Sequence, residues 1–306
     1  MIEVLEPGRF TSIQDHGRPG FERYGVPAGG AADWFAAAVA NRLVGNQRQA
    51  ALLEMTAFGA SLRFHQDAII AMTGATSLSV TGLSDCRAWQ ACPIASGSRL
   101  DIGPITPGLR SYVAVRGGIE APLVLQSRSL CARGGFGGGF GRPLRSGDHL
   151  PVGTTIVSAP LEKAWPGTHR LPLQGPWEVR VIAGPHSDVF ASGALERVNA
   201  TACRATSAID RMGLRLETPG LHLEAEEILT TPVASGSIQV TPSGELIVLL
   251  VDHPTTGGYP VIATAINADL PLLAQVRPGD TIRFRRVDQV EAASARRRLM
   301  DWLELE

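Results

Sequence analysis

The sequence predicts a mainly β protein with a few helices, arranged as two β-barrel domains in tandem. Glycine (34) and proline (21) are spread along all 306 residues. Between them recur short apolar, β-branched segments, the pattern of sandwiches and barrels rather than of a βαβ sheet. Helical periodicity is confined to two stretches. A proline-rich, aperiodic segment, residues 158–177, has linker composition and separates halves of similar size, which gives domains at 1–160 and 175–306.

The elements follow in order. MIEVLEPGRF opens like a strand. ADWFAAAVANRLVG (32–45) reads as a helix, with Asp33 as N-cap and Gly45 as terminator. Strands are expected at SLRF (61–64), AIIAM (68–72), SLSV (77–80), SRLDI (98–102), SYVAV (111–115) and TTIV (154–157). In the second half they are expected at WEVRVI (177–182), SIQV (237–240), LIVLLV (246–251), VIATAI (261–266) and TIRF (281–284). The chain closes on a helical pattern from Val287, with Val290, Ala293, Leu299, Trp302 and Leu303 available for its apolar face. Each half ends on a similar phrase, GRPLRSGDHL (141–150) and AQVRPGDTIRF (274–284): an Arg-x-Gly-Asp corner before a closing strand.

The totals exclude several classes. The formal net charge is −1 and charged residues make up 19%, so no basic excess points to nucleic acid. No apolar run approaches the roughly 18–20 residues that span a bilayer. No signal-peptide pattern opens the sequence, and a cytoplasmic location is expected. Lys163 is the one lysine and lies in the linker, which disfavours Schiff-base chemistry. Cys86, Cys92, Cys131 and Cys203 show no zinc spacing and read as reduced thiols. The seven histidines are dispersed, so no metal site is expected.

Four polar or glycine-rich stretches could carry chemistry. Residues 11–33 pack Gln14, Asp15, His16, Arg18, Arg23 and Asp33 among glycines, in a segment too long and irregular for a plain connector. Residues 131–148 contain six glycines in eight positions (134–141). Backbone N–H groups there, including those of Gly135 and Gly137, could face an anion. Arg133 and Arg142 bracket the run, and guanidinium forks suit carboxylate or phosphate. It is neither a Walker A loop nor a dinucleotide fingerprint. AGPHSDVF (183–190) places His186 and Asp188 at a strand exit, as a candidate acid–base pair or a structural one. ATSAIDRMGLRLE (205–217) holds Asp210 and Arg211, as a turn anchor or a binding pair. After LIVLLV, the stretch DHPTTGGYP (252–260) exceeds what a hairpin needs. Thr256, Gly257, Gly258 and Tyr259 there could form either a ligand-facing loop or a barrel corner.

In order along the chain, PGRFTSIQDHGRPGFERYGVPAGGAAD, ANRLVGN, LLEMTAFG, GLRSYVAVRGGI, ARGGFGGGFGRPLRSGD, GPHSDVF, DRMGLRLE and GSIQVTPSGELIVLLVDHPTTGGYPVIATAINADLPLLAQVRPGD resemble the KipA family. This is the third component of bacterial 5-oxoprolinase, also called allophanate hydrolase subunit 2 or a biotin-dependent carboxyltransferase. It is similar to part of the carboxyltransferase region of urea carboxylase. The resemblance covers nearly the whole chain. It implies two cyclophilin-like β-barrel domains, a KipI-like partner, a LamB/YcsF-like partner, and ATP used by the complex to open 5-oxoproline to glutamate. Small departures occur, among them Gly30-Ala31-Ala32-Asp33 where the family commonly has Gly-Ala-Met-Asp, and Thr241-Pro242-Ser243-Gly244 where it has Pro-Pro-Asp-Gly.

Within that reading Arg18, Arg133, Arg142, Arg211, the glycine loop and Thr256–Tyr259 would hold a small lactam or amide substrate. His186, Asp15 or Asp188 would move protons. Two other readings remain open. One is carboxyl transfer from carboxybiotin to urea or another amide, on a separate carrier because the chain has no biotin-attachment motif. The other is a non-catalytic protein that binds a KipI-like partner.

Overall fold

The computed structural model describes residues 1–75, 86–154, 164–218, 223 and 228–304, and the backbone of 79–80. Residues 155–157 of the expected strand TTIV, residues 77–78 of SLSV, and residues 158–163 of the expected linker lie outside these. The described residues form two compact units, Met1–Arg18 with Gly29–Leu173, and Pro19–Ala28 with Gln174–Glu306. The architecture is mainly β, as the sequence predicts.

The first unit contains β1 (Ile2–Glu6), β2 (Phe10–Gln14), α1 (Trp34–Leu43), β3 (Leu52–Thr56), β4 (Ser61–Phe64), β5 (Ala68–Gly74), β6 (Ser79–Val80), β7 (Ala91–Ile94), β8 (Arg99–Asp101), β9 (Arg110–Val115) and β10 (His149–Leu150). They make two five-stranded sheets, ordered β10-β1-β4-β8-β6 and β2-β3-β9-β5-β7. Alternation explains the first sheet. Ile2, Val4, Leu62, Phe64, Leu100 and Leu150 enter the core, while Glu3, Arg63, Arg99 and His149 take the opposite parity. Ile13, Leu53, Met55, Ile70, Met72 and Val113 fill the core from the second sheet.

The far face of the second sheet is covered by α1, which packs on β5 and β9. Asp33 caps that helix, its Oδ1 accepting from the Ala36 N–H at 2.8 Å, and Gly45 ends it at φ +75°. Its seat is polar. Glu54 Oε2 accepts from the Ala32 N–H (2.8 Å) and from the Tyr112 hydroxyl (2.9 Å), which itself accepts from the Asp33 N–H (2.7 Å). A carboxylate at a helix N-terminus complements the orphan N–H groups and the dipole. Burial, with Glu54 and Asp33 nearby, raises the Tyr112 pKa well above its ordinary value, so the phenol keeps its proton.

The second unit contains β11 (Trp177–Ala183), α2 (Ala194–Ala200), β12 (Cys203–Ile209), β13 (Gly213–Glu217), β14 (Thr231–Pro232), β15 (Ser237–Val240), β16 (Leu246–Leu249), β17 (Thr256–Gly257), β18 (Val261–Ala265), α3 (Leu270–Leu273), β19 (Thr281–Arg286) and α4 (Gln289–Glu304). Seven strands close a barrel in the order β11-β18-β15-β16-β13-β12-β19. Closure is made by the parallel pair β11–β19, Trp177 opposite Ile282. β14 and β17 form a separate two-stranded ribbon.

Three local expectations change. Cys86 and Cys92 are disulfide-linked rather than reduced, their Cα atoms 5.5 Å apart, within bridging range. On α4 the buried positions are Ala295, Leu299 and Leu303, an i, i+4, i+8 row, whereas Val290 and Ala293 are exposed. Trp165, inside the expected linker, is buried with its ring 6.3 Å from that of Phe35.

Candidate functional site

In the first unit the polar stretch after β2 meets the stretch before the glycine run. Asp15 Oδ1 accepts from the Gly17 N–H (2.8 Å) and from the hydroxyls of Ser127 (2.7 Å) and Ser129 (2.6 Å). Its Oδ2 accepts from the Arg128 N–H at 2.6 Å. These four donors match the capacity of one carboxylate. Asp15 is therefore a tie between two distant segments, its lone pairs taken up by the fold. Arg18 lies buried beside it, donating to the Ser129 carbonyl and stacking over Phe136, 5.1 Å from the ring centroid. Gly137 makes room: at φ +74°, a Cβ there would stand 2.1 Å from the Ser129 oxygen and 3.2 Å from Arg18 Nη2.

The glycine run is folded on itself. The N–H groups of Gly135, Phe136, Gly138 and Gly141 donate to Ala132, Cys131, Arg128 and Gly137 carbonyls. Those four amides, Gly135's among them, are committed to carbonyls of the chain rather than left for an anion; Gly137's is not one of the four. Local ring closure satisfies them instead. Arg133 is exposed beside the run. Arg142 is turned to Asp148, bidentate at 2.8 and 2.8 Å, and this pairing holds the Asp148 carboxyl below its ordinary pKa. Its fork is filled by a carboxylate of its own chain.

In the second unit Asp210 closes the β12–β13 turn, accepting from the N–H groups of Met212 (2.7 Å) and Gly213 (3.1 Å). The next residue, Arg211, reaches across to the loop after β16. Its Nε and Nη2 donate to Asp252 at 2.8 and 3.0 Å, with both side chains mostly buried. This pair anchors the start of the DHPTTGGYP loop. Further on, Thr256–Gly257 pairs with β14, and the Tyr259 carbonyl accepts from Gln239 Nε2 at 3.2 Å. A Cβ on Gly257 would meet Gln239 Nε2 at 2.5 Å. At Gly258 the nearest atom would be 3.8 Å away. Thr256, Gly258 and Tyr259 are exposed. The loop is a corner at Gly257 and an open face at its neighbours.

The histidines take complementary tautomers. His186 Nδ1 accepts from the Val261 N–H at 3.2 Å, so in the neutral ring Nε2 carries the proton and can donate. Asp188 is exposed two residues on. His253 escapes the sequence pattern because it sits inside a motif dominated by Thr, Gly and Tyr. It is buried, and its Nδ1 donates to the Pro254 carbonyl at 2.7 Å, which leaves Nε2 as an acceptor. Burial lowers its pKa, while the Pro254 hydrogen bond, Asp252 and Glu22 pull the other way. Glu22 lies in the Pro19–Ala28 piece that belongs to this unit. A neutral imidazole beside two carboxylates is suited to accept a proton.

The family described as carboxyltransferase domain, subdomain A and B, matches residues 24–286. The chain is 36% identical over 299 residues to the C subunit of 5-oxoprolinase from Escherichia coli (strain K12), covering 97% of this chain and 94% of that protein. It is 34% identical to the C subunit of 5-oxoprolinase from Haemophilus influenzae, covering 97% and 95%. It also resembles the crystal structure of the K. lactis urea amidolyase, with a TM-score of 0.89 and 31% identity. That likeness covers 98% of this chain but 20% of the other. The protein belongs to the carboxyltransferase domain, subdomain A and B, family.

Proposed function

We propose that this chain is one component of an ATP-dependent 5-oxoprolinase, acting with a KipI-like partner and a LamB/YcsF-like partner in the cytoplasm. The observation that carries the reading is the end-to-end similarity to the C subunit of 5-oxoprolinase, which covers 97% of this chain and 94% of the relative. A lactam amide is a poor electrophile. Transfer of the ATP γ-phosphoryl group to its oxygen activates the ring carbon; one water adds there and the ring C–N bond breaks to leave an acyl phosphate, which a second water hydrolyses, so that glutamate, ADP and phosphate result. This chain's part would be to hold the substrate carboxylate and move protons. Arg133 is exposed and suited to the first task. His253 is suited to accept a proton and His186 to donate a hydrogen bond from Nε2. Coexpression with the KipI-like and LamB/YcsF-like proteins, followed by assay of glutamate release from 5-oxoproline and ATP, tests the reading. No turnover by the assembled complex would overturn it.

A second reading is carboxyl transfer between carboxybiotin and urea or another amide, favoured by the family description and the likeness to a urea amidolyase. Carboxylation of urea by the complex plus a biotinylated carrier, without glutamate release, would establish it in place of the first.

A further inference from the structure

The outer side of the first sheet brings together Glu3, His65 and His149, whose candidate ligand atoms all lie within 4.8 Å of one another. It is the one such His/Cys/Asp/Glu group among the described residues. Strand register builds it. Glu3 on β1 stands opposite His149 on β10 and opposite Arg63 on β4, and His65 follows Arg63 by two residues, on the same face. The two imidazoles stack, with centroids 6.2 Å apart and planes 15° apart. His65 Nε2 is 3.0 Å from Glu3 Oε2. A second observation concerns orientation. His149 Nδ1 donates to the Gly147 carbonyl at 2.9 Å. That bond sets the tautomer with a lone pair on Nε2, the arrangement that backbone carbonyls impose on metal-ligating histidines.

We propose that Glu3, His65 and His149 form an open site for a borderline divalent cation of the Zn²⁺ or Ni²⁺ type. Two imidazoles and one carboxylate are a three-ligand set that leaves positions for water, and nitrogen donors select these metals over Mg²⁺ and Ca²⁺. The ion would replace the proton that His65 shares with Glu3. It would also link β10, only two residues long, to β1 and to the end of β4. Arg63 Nη1, 3.7 Å from Glu3 Oε2, is the competing cation.

Calorimetric titration of the untagged, chelator-treated chain with Zn²⁺, Ni²⁺ and Mg²⁺ tests this. One equivalent of Zn²⁺ or Ni²⁺ is expected to bind and raise the melting temperature, with no comparable response to Mg²⁺. His65→Ala and His149→Ala should each weaken binding roughly tenfold or more. Arg63→Gln should bind at least as tightly as the parent, and the exposed His16→Ala should be unchanged. Circular dichroism confirms that the variants are folded. Absence of a stoichiometric Zn²⁺ or Ni²⁺ site, or equal affinity in the His65 and His149 variants, would overturn the proposal.

Discussion

Arg211 and Asp252 illustrate how single side chains decide loop placement. The pair is bidentate and largely buried, so removing one partner strands the other charge, at a cost of about 3–5 kcal/mol. Arg211→Ala is expected to lower the free energy of unfolding in urea by that much, and Arg211→Met with Asp252→Leu should recover most of it. Additive losses in the double variant would show that no coupling exists. His253 makes a pH prediction. Burial lowers its folded-state pKa below the usual 6.5, so as pH falls the unfolded chain takes up a proton first. The stability this group contributes is therefore complete above about pH 6.5 and is lost as pH drops through the folded value. His253→Gln should flatten that part of the acid limb in urea midpoints measured between pH 7.5 and 5.5. In the assembled complex the same variant should lower kcat roughly 10²–10⁴-fold while remaining folded. A loss below threefold would restrict His253 to a structural role. Arg133→Ala should raise KM for the substrate while leaving the melting temperature unchanged, because its side chain is exposed; an unchanged KM would remove it from the site.

At the scale of elements, the glycines separate into those that position and those that leave space. Gly137→Ala combines a left-handed backbone with a contact of 2.1 Å against the Ser129 carbonyl. Backbone strain alone contributes about 1–3 kcal/mol, and Arg18 would have to move as well. Gly258→Ala meets nothing closer than 3.8 Å and should leave the melting temperature within a degree or two. If the exposed face of its loop meets a ligand, activity of the complex should still fall. Equal stability of the two variants would refute this division. The two Arg-x-Gly-Asp corners show a repeated solution. Asp148 accepts from the Arg145 N–H at 2.7 Å and Asp280 from the Arg277 N–H at 2.9 Å, with Gly147 and Gly279 at φ +84° and +89°. In each unit the strand that follows pairs with that unit's first strand, antiparallel for β10 and parallel for β19. The echo between the two phrases is thus a repeated turn that serves different pairings.

At the scale of the molecule, the proposed function predicts that the chain alone is nearly inactive on 5-oxoproline and copurifies with a coexpressed KipI-like protein; robust glutamate release by the isolated chain would contradict this. No helix among the described residues is long and apolar enough to cross a membrane. Features with local causes are legible in the sequence. Alternating Ile2, Glu3 and Val4, the Asp33 cap, Gly45 and the Arg-x-Gly-Asp corners depend on neighbours a few residues away, and the chain states those neighbours directly. β12 and β13 hide inside a stretch that reads as a polar segment, because the conspicuous Asp210 and Arg211 mask the alternation around them. The site residues depend on distant partners. Asp15 reads as a candidate base until Ser127, Arg128 and Ser129 arrive from more than a hundred residues away. Arg142 reads as a free fork until Asp148 fills it. His253 becomes notable only when folding buries it and turns its Nδ1 toward Pro254. By itself the sequence determined the mainly β class, the helix caps and the family, since those rest on local pattern and ordered motifs. Which polar groups hold the fold and which are left for chemistry was decided by tertiary structure, because hydrogen-bond capacity is shared among residues that only folding brings within about 3 Å.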